Sequence, residues 1–232
     1  MTTPAQTSRL AAWPTPIWTP RAVVVDCDGL LVDTEAEWVG VQDSYLASHG
    51  AALDAATRRE LTGRSAETVI RTIAEVLDAD PQRVAEDLVA LHRADLGRGV
   101  RLLPGVEEAV RAIAARVPVA VASNSPRDLL DQKLAAMPFG DVFDASVAIE
   151  DAPAPKPAPD MYLAGARLLG AEPADALAFE DSETGAQAAA RAGLALIAVP
   201  SLAGQHPVAD VTLASLEDAD LRGWIETWEI TR

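Results

Sequence analysis

The stretch Val23-Val24-Val25-Asp26-Cys27-Asp28-Gly29-Leu30-Leu31-Val32-Asp33-Thr34-Glu35 decides the fold. Its opening run of β-branched apolar residues lacks polar alternation. That is the pattern of a strand buried on both faces, as in a parallel sheet. The run stops at two aspartates one residue apart, followed by glycine. Asp and Gly dominate turns, so the bare tripeptide reads as an acidic turn. At the carboxyl end of a parallel strand it gains a second meaning, because open α/β sheets bind ligands there. Two carboxylates held that close repel unless a cation lies between them or one keeps a proton.

With the apolar run before it and Gly29 to Glu35 after it, Asp26-Cys27-Asp28-Gly29-Leu30-Leu31-Val32-Asp33-Thr34-Glu35 resembles the first motif of the haloacid dehalogenase superfamily. It is most similar to the branch of β-phosphoglucomutase-like and sugar-phosphate phosphatases. The family places a helical cap after this motif.

The residues support that organisation. From Glu35 to about Gly99 the pattern is helical: Trp38, Val41 and Tyr45 share a face, and His49-Gly50 ends their helix. Val69, Ile70, Ile73 and Leu77 form a second stripe. Val84, Leu88 and Leu91 form a third, behind an Asp80-Pro81 start. Leu61 to Ser65 breaks the pattern as a loop. Strands are expected at Val117–Ala122, Val142–Ile149, Ala176–Phe179, Leu194–Val199 and Val211–Leu213, with helices between them. Strands alternating with helices give a doubly wound parallel sheet of the α/β class, Rossmann-like, carrying an inserted α-helical cap. The expected boundaries are an extension over 1–20, a core over 21–35 and 101–232, and a cap over 36–100. The extension carries Trp13 and Trp18 and is expected to pack on the body or on a neighbouring subunit.

Thirty-five acidic against 19 basic residues give a net charge of −16, which argues against a nucleic-acid partner. No apolar stretch is long enough to span a bilayer. Cys27 is the single cysteine, so no intramolecular disulfide forms, which fits a reducing cytoplasm. It reads as a small buried hydrophobe on the side opposite Asp26 and Asp28. His49, His92 and His206 are scattered and make no zinc pattern.

Polar clusters come after successive strands: Asp26 and Asp28, then Ser123 and Asn124, then Glu180 and Asp181. A parallel sheet gathers these ends on one edge. Their chemistry fits phosphoryl transfer, which needs a nucleophile, a proton donor, a hard cation and donors for phosphate oxygens. Asp26 can attack phosphorus and Asp28 can serve as general acid and base. Mg²⁺ takes oxygen ligands, available from Asp26, the Asp28 carbonyl and Asp181, with Glu180 direct or through water. Lys156, Ser123 and the Asn124 amide are donors for a phosphate, beside a helix that starts at Ser125-Pro126.

The resemblance implies the same roles. Ser123 matches the family's second motif, Lys156 in Pro155-Lys156-Pro157 the third, and Glu180-Asp181 the acidic pair of the fourth. Arg64 resembles the substrate-facing cap loop, and Glu35 lies at the passage into the cap. Mutases of this family carry a histidine near the position of Trp38, and none stands here. The expectation is therefore a Mg²⁺-dependent phosphatase of a small phosphorylated metabolite, a sugar or sugar-alcohol phosphate, working as a monomer or homodimer. A phosphomutase and a non-catalytic phospho-ligand-binding protein are the alternatives.

Overall fold

A computed structural model describes residues 18–61, 66–96, 99–202 and 204–232. Among them, six strands make one sheet: β1 (Ala22–Val25), β2 (Val119–Ala122), β3 (Ala145–Val147), β4 (Ala176–Glu180), β5 (Ala195–Ala198) and β6 (Val211–Thr212). Every pairing is parallel, and the order across the sheet is β3-β2-β1-β4-β5-β6. The first strand is thus central, with β2 on one side and β4 on the other. The connections leave β1 in opposite directions, which makes its carboxyl end the switch point of a Rossmann-like fold.

Helices α1 (Thr34–Ser48), α2 (Ala55–Leu61), α3 (Ala66–Leu77) and α4 (Pro81–Leu96) lie between β1 and β2 in the chain. Helices α5 (Val106–Ala114), α6 (Arg127–Ala136), α7 (Asp160–Leu168), α8 (Glu183–Ala192) and α9 (Ala219–Glu226) belong with the strands. Among the described residues, those of 33–101 form one compact unit, and those up to 32 with those of 102–232 form the other.

In the sheet unit, β1 is buried along its whole length. Val24 packs with Met161, Tyr162, Ala164 and Ala166 of α7 and with the alanines of α8. Val23 and Val25, equally buried, project to the opposite side because successive strand residues alternate. That double burial is why the run shows no polar alternation. The third strand is shorter than the sequence pattern predicts. Short 3-10 turns at Gly140–Val142 and Ile149–Asp151 flank it, and the Asp144 carboxylate accepts from the Val119 amide at 2.9 Å just before it. Helix α9 is an addition to the expected elements. Asp218 caps it, accepting from Asp220 and Leu221, and Leu221, Trp224 and Ile225 form its buried stripe.

In the other unit, Val41, Tyr45, Leu46, Leu61, Val69, Ile73, Val84 and Leu88 form a separate core. Asp33 caps α1 by accepting from the Ala36 amide at 3.1 Å, and Gly50 closes the same helix with a φ of +70°. Leu91 departs from the expected stripe: it is 39% exposed, and the core cluster ends at Leu88. Of the loop expected over Leu61 to Ser65, Leu61 instead ends α2 with its side chain in the core, and 62–65 lie outside the described residues, as does the extension up to residue 17. Among the described residues, no helix is long and apolar enough to cross a membrane.

Candidate functional site

The loop after β1 turns sharply. The Cys27 carbonyl accepts from the amides of Leu31 and Val32, and Gly29 donates to the Val32 carbonyl at 2.9 Å. Gly29 takes a φ of +85°, and a Cβ there would overlap the Asp181 carboxylate. Glycine is therefore needed twice, for its backbone angle and for the carboxylate that lies against it. The Cys27 thiol is fully buried, and burial, reinforced by Asp28, pushes its pKa up. It is not poised as a thiolate.

The two aspartates of this loop enter different networks. Asp26, 6% exposed, accepts from the Lys156 ammonium at 2.5 Å. Lys156 also donates to Glu180 Oε1 at 2.6 Å and lies 3.3 Å from the Tyr162 hydroxyl. Tyr162 donates to the same Glu180 oxygen at 3.1 Å. Glu180 Oε2 accepts from the Asp181 amide, the Ser182 amide and the Ser182 hydroxyl at 2.9 to 3.0 Å. Both oxygens of Glu180 are thus taken by protein donors, five in all. A Cβ at Gly185, in the first turn of α8, would collide with this carboxylate.

Asp28 is held elsewhere. Its Oδ2 accepts from the Ser123 and Ser125 hydroxyls, each at 2.8 Å, and its Oδ1 pairs with the Lys133 ammonium. Asn124 staples two loops, donating to the Lys156 carbonyl at 3.2 Å and accepting from the Lys156 amide at 2.9 Å. Asp181 Oδ2 accepts from Ser201 at 2.8 Å.

Charges respond to these surroundings. Burial pushes Asp26 well up; Lys156 opposes this, and Glu180, Asp28 and Asp181 add to it. Burial and then Glu180 push Asp181 up to about 7. For Asp28 the cost of burial is outweighed by Lys133 and the two serines, and its pKa falls. Glu180 is likewise held low against burial by Lys156. Burial works against the Lys156 charge, yet Asp26 and Glu180 outweigh it and raise the pKa.

Asp26, Glu180 and Asp181 present carboxylate oxygens within 4.8 Å of one another, all buried. Among the described residues, Lys156 is the one cation in contact with two of them, so negative charge exceeds positive there. Burial first, and the neighbouring carboxylates after it, hold Asp26 and Asp181 above the ordinary carboxylate range. An all-oxygen set short of positive charge suits a hard divalent cation such as Mg²⁺.

The structure brings Asp26, Asp28, Ser123, Asn124, Lys156, Glu180 and Asp181 to one sheet edge. Glu35 belongs to the unit of residues 33–101, where it lines a small pocket with Trp38, Gln42 and Arg58. Arg64 lies outside the described residues. The sequence pattern does not single out Lys133, Ser125, Tyr162 or Ser201 as site residues. Ser201 comes after β5, so the rule that pointed to the other loops also applies to it.

A family model of haloacid dehalogenase-like hydrolases matches residues 20–193. Hexitol phosphatase B of Escherichia coli K12 is 34% identical over 218 residues, covering 86% of this chain and 96% of that protein. The bifunctional riboflavin kinase/FMN phosphatase of Arabidopsis thaliana is 32% identical over 210 residues, 87% of this chain but only 55% of that longer protein. Among solved structures, a HAD family hydrolase from Deinococcus radiodurans R1 with bound phosphate and sodium superposes with a TM-score of 0.67. It shares 30% identity, with 86% of this chain and 93% of that one covered. The sheet order, the polar loops at its switch point and the family match lead to one conclusion: the chain belongs to the haloacid dehalogenase-like hydrolases.

Proposed function

We propose that this hydrolase is a Mg²⁺-dependent phosphatase of a small phosphorylated metabolite, a sugar or sugar-alcohol phosphate, acting through an aspartyl phosphate on Asp26. The observation that carries the reading is the division of labour on one loop. Asp26 sits in a buried carboxylate cluster with one lysine, while Asp28, two residues on, is held apart from that cluster by two hydroxyls and a second lysine.

Asp26, Asp181 and the Asp28 carbonyl are the residues assigned to the metal. Glu180, saturated by its own donors, adds charge and anchors Lys156. A bound Mg²⁺ supplies positive charge for the phosphate oxygens and lets the carboxylates ionise together. Asp26 attacks phosphorus in line with the leaving oxygen, and Lys156 balances charge beside it. The Asn124 amide, in the loop that leads into α6, offers a donor to the transferring group, and Ser123 offers its hydroxyl by turning it from Asp28. Asp28 hands a proton to the leaving alkoxide, then takes one from the water that cleaves the aspartyl phosphate. Hexitol phosphatase B supports the substrate class by its similarity over nearly its full length.

The test is acid quenching of the enzyme with a ³²P-labelled hexitol phosphate and Mg²⁺. A hydroxylamine-labile phosphoprotein is expected, absent in Asp26→Asn and after chelation. Free phosphate should be the product. An isomerised sugar phosphate in its place would instead make the enzyme a mutase.

A further inference from the structure

Lys133 is one of two lysines buried among the described residues, and no step above uses it. It rides on α6, whose buried positions besides it are Leu130 within the helix and Met137 just after. Spacings of three and four put all three on one helical face. A lysine on such a stripe forgoes the packing that a leucine would give. It also pays the cost of burying a charge unless a partner compensates it.

The partners lie at the catalytic edge. The ammonium pairs with Asp28 Oδ1 and lies 3.0 Å from the Ser125 hydroxyl. Ser125 and Ser123 donate to Asp28 Oδ2, and the Ser125 amide donates to Ser123 Oγ at 2.9 Å. Both oxygens of the Asp28 carboxylate are therefore held, one by hydroxyls and one by the ammonium. Removing the hold on Oδ1 leaves the group free to swing about Oδ2. Lys156, the family-motif lysine, serves Asp26 and Glu180, so the two lysines divide the two aspartates between them.

We propose that Lys133 is a positioning residue for Asp28, fixing the orientation of the carboxyl group that protonates the departing alkoxide. The proposal rests on the acid–base role given to Asp28 above. In that step the bond from Asp26 to phosphorus forms as the bond to the leaving oxygen breaks. Asp28 enters this step protonated, having taken a proton from solvent; that proton passes to the leaving oxygen, and Asp28 is left as the carboxylate that the serines and Lys133 hold. Lys133 keeps its proton throughout. Orientation matters only where the leaving group needs the proton. An alkoxide does; a nitrophenolate leaves without one.

The experiment compares kcat/KM for a hexitol phosphate and for p-nitrophenyl phosphate in the wild type, Lys133→Met and Asp28→Asn, with Mg²⁺ present. This ratio reports steps up to transfer of phosphorus to Asp26 and omits later hydrolysis. General acid catalysis contributes about 10²–10⁴-fold. Lys133→Met is expected to lower kcat/KM on the hexitol ester at least about tenfold more than on the aryl ester, following Asp28→Asn in direction. Equal losses on both esters in Lys133→Met, with Asp28→Asn still discriminating, overturn the proposal and make Lys133 merely structural. Equal losses in Asp28→Asn overturn the acid–base reading itself, and the role of Lys133 with it. If Lys133→Met fails to fold by circular dichroism, Lys133→Gln, which removes the ammonium that holds Asp28 Oδ1 but keeps a polar side chain, is read for the same split under the same criteria.

Discussion

Lys156 donates to Asp26 across 2.5 Å, joining the carboxyl end of β1 to a loop 130 residues further along the chain. The pair is buried on both sides, with side-chain exposures of 4% and 8%. Breaking a buried pair leaves an uncompensated charge, which costs about 3–5 kcal/mol. Lys156→Met should therefore lose stability on that scale in urea unfolding without Mg²⁺. Part of the loss should return as pH falls and the stranded carboxylates protonate.

Gly29→Ala tests the close packing of the two acidic loops. The φ of +85° strains any side-chain-bearing residue, and the new methyl meets the Asp181 carboxylate. Strain of this kind costs about 1–3 kcal/mol. Both a lower melting temperature and a higher Mg²⁺ requirement for turnover are expected. A variant with unchanged Mg²⁺ dependence would separate Asp181 from the metal.

Asp181 makes stability depend on pH. Its folded pKa, about 7, lies above the ordinary value of 3.8. Between those values the folded state binds more protons than the unfolded state at this site. Its contribution to stability therefore falls as pH rises from about 4 to about 7. In metal-free protein, the wild type should lose stability across that window relative to Asp181→Asn. Added Mg²⁺ should stabilise the wild type more at pH 8 than at pH 5, since ligation needs the ionised carboxylate.

Tyr162→Phe removes a hydroxyl that donates to Glu180 Oε1 at 3.1 Å. Glu180 keeps Lys156 and its three donors on the other oxygen, so the loss should be about 1 kcal/mol. Turnover should fall less than tenfold. A larger drop would show that the hydroxyl also holds Lys156 in place.

The sheet was legible because Val23-Val24-Val25 and Val119-Ala120-Val121 are buried on both faces, which erases polar alternation. The gathering of the polar loops came from strand polarity. Contacts distant in sequence set the features that escaped. The buried side of α6 turns through Lys133 as well as Leu130, and Lys133 pairs with a residue 105 positions away. Tyr162 looks like an ordinary core aromatic until its hydroxyl is seen on Glu180. Two of the five donors on Glu180 are backbone amides, which no residue pattern displays.

The sheet order has a consequence for how the chain assembles. The strand at its centre is made first. Its neighbour β2 is made only after the whole of residues 33–101, and β4 later still, after β3, α6 and α7. A nascent chain therefore carries Val23-Val24-Val25 with both edges unpaired while a separate helical core has already been synthesised. Long-range parallel pairing is slow because loop closure precedes its reward. The segment that supplies Asp26 and Asp28 is thus also the one most exposed to mispairing on the way to the native state.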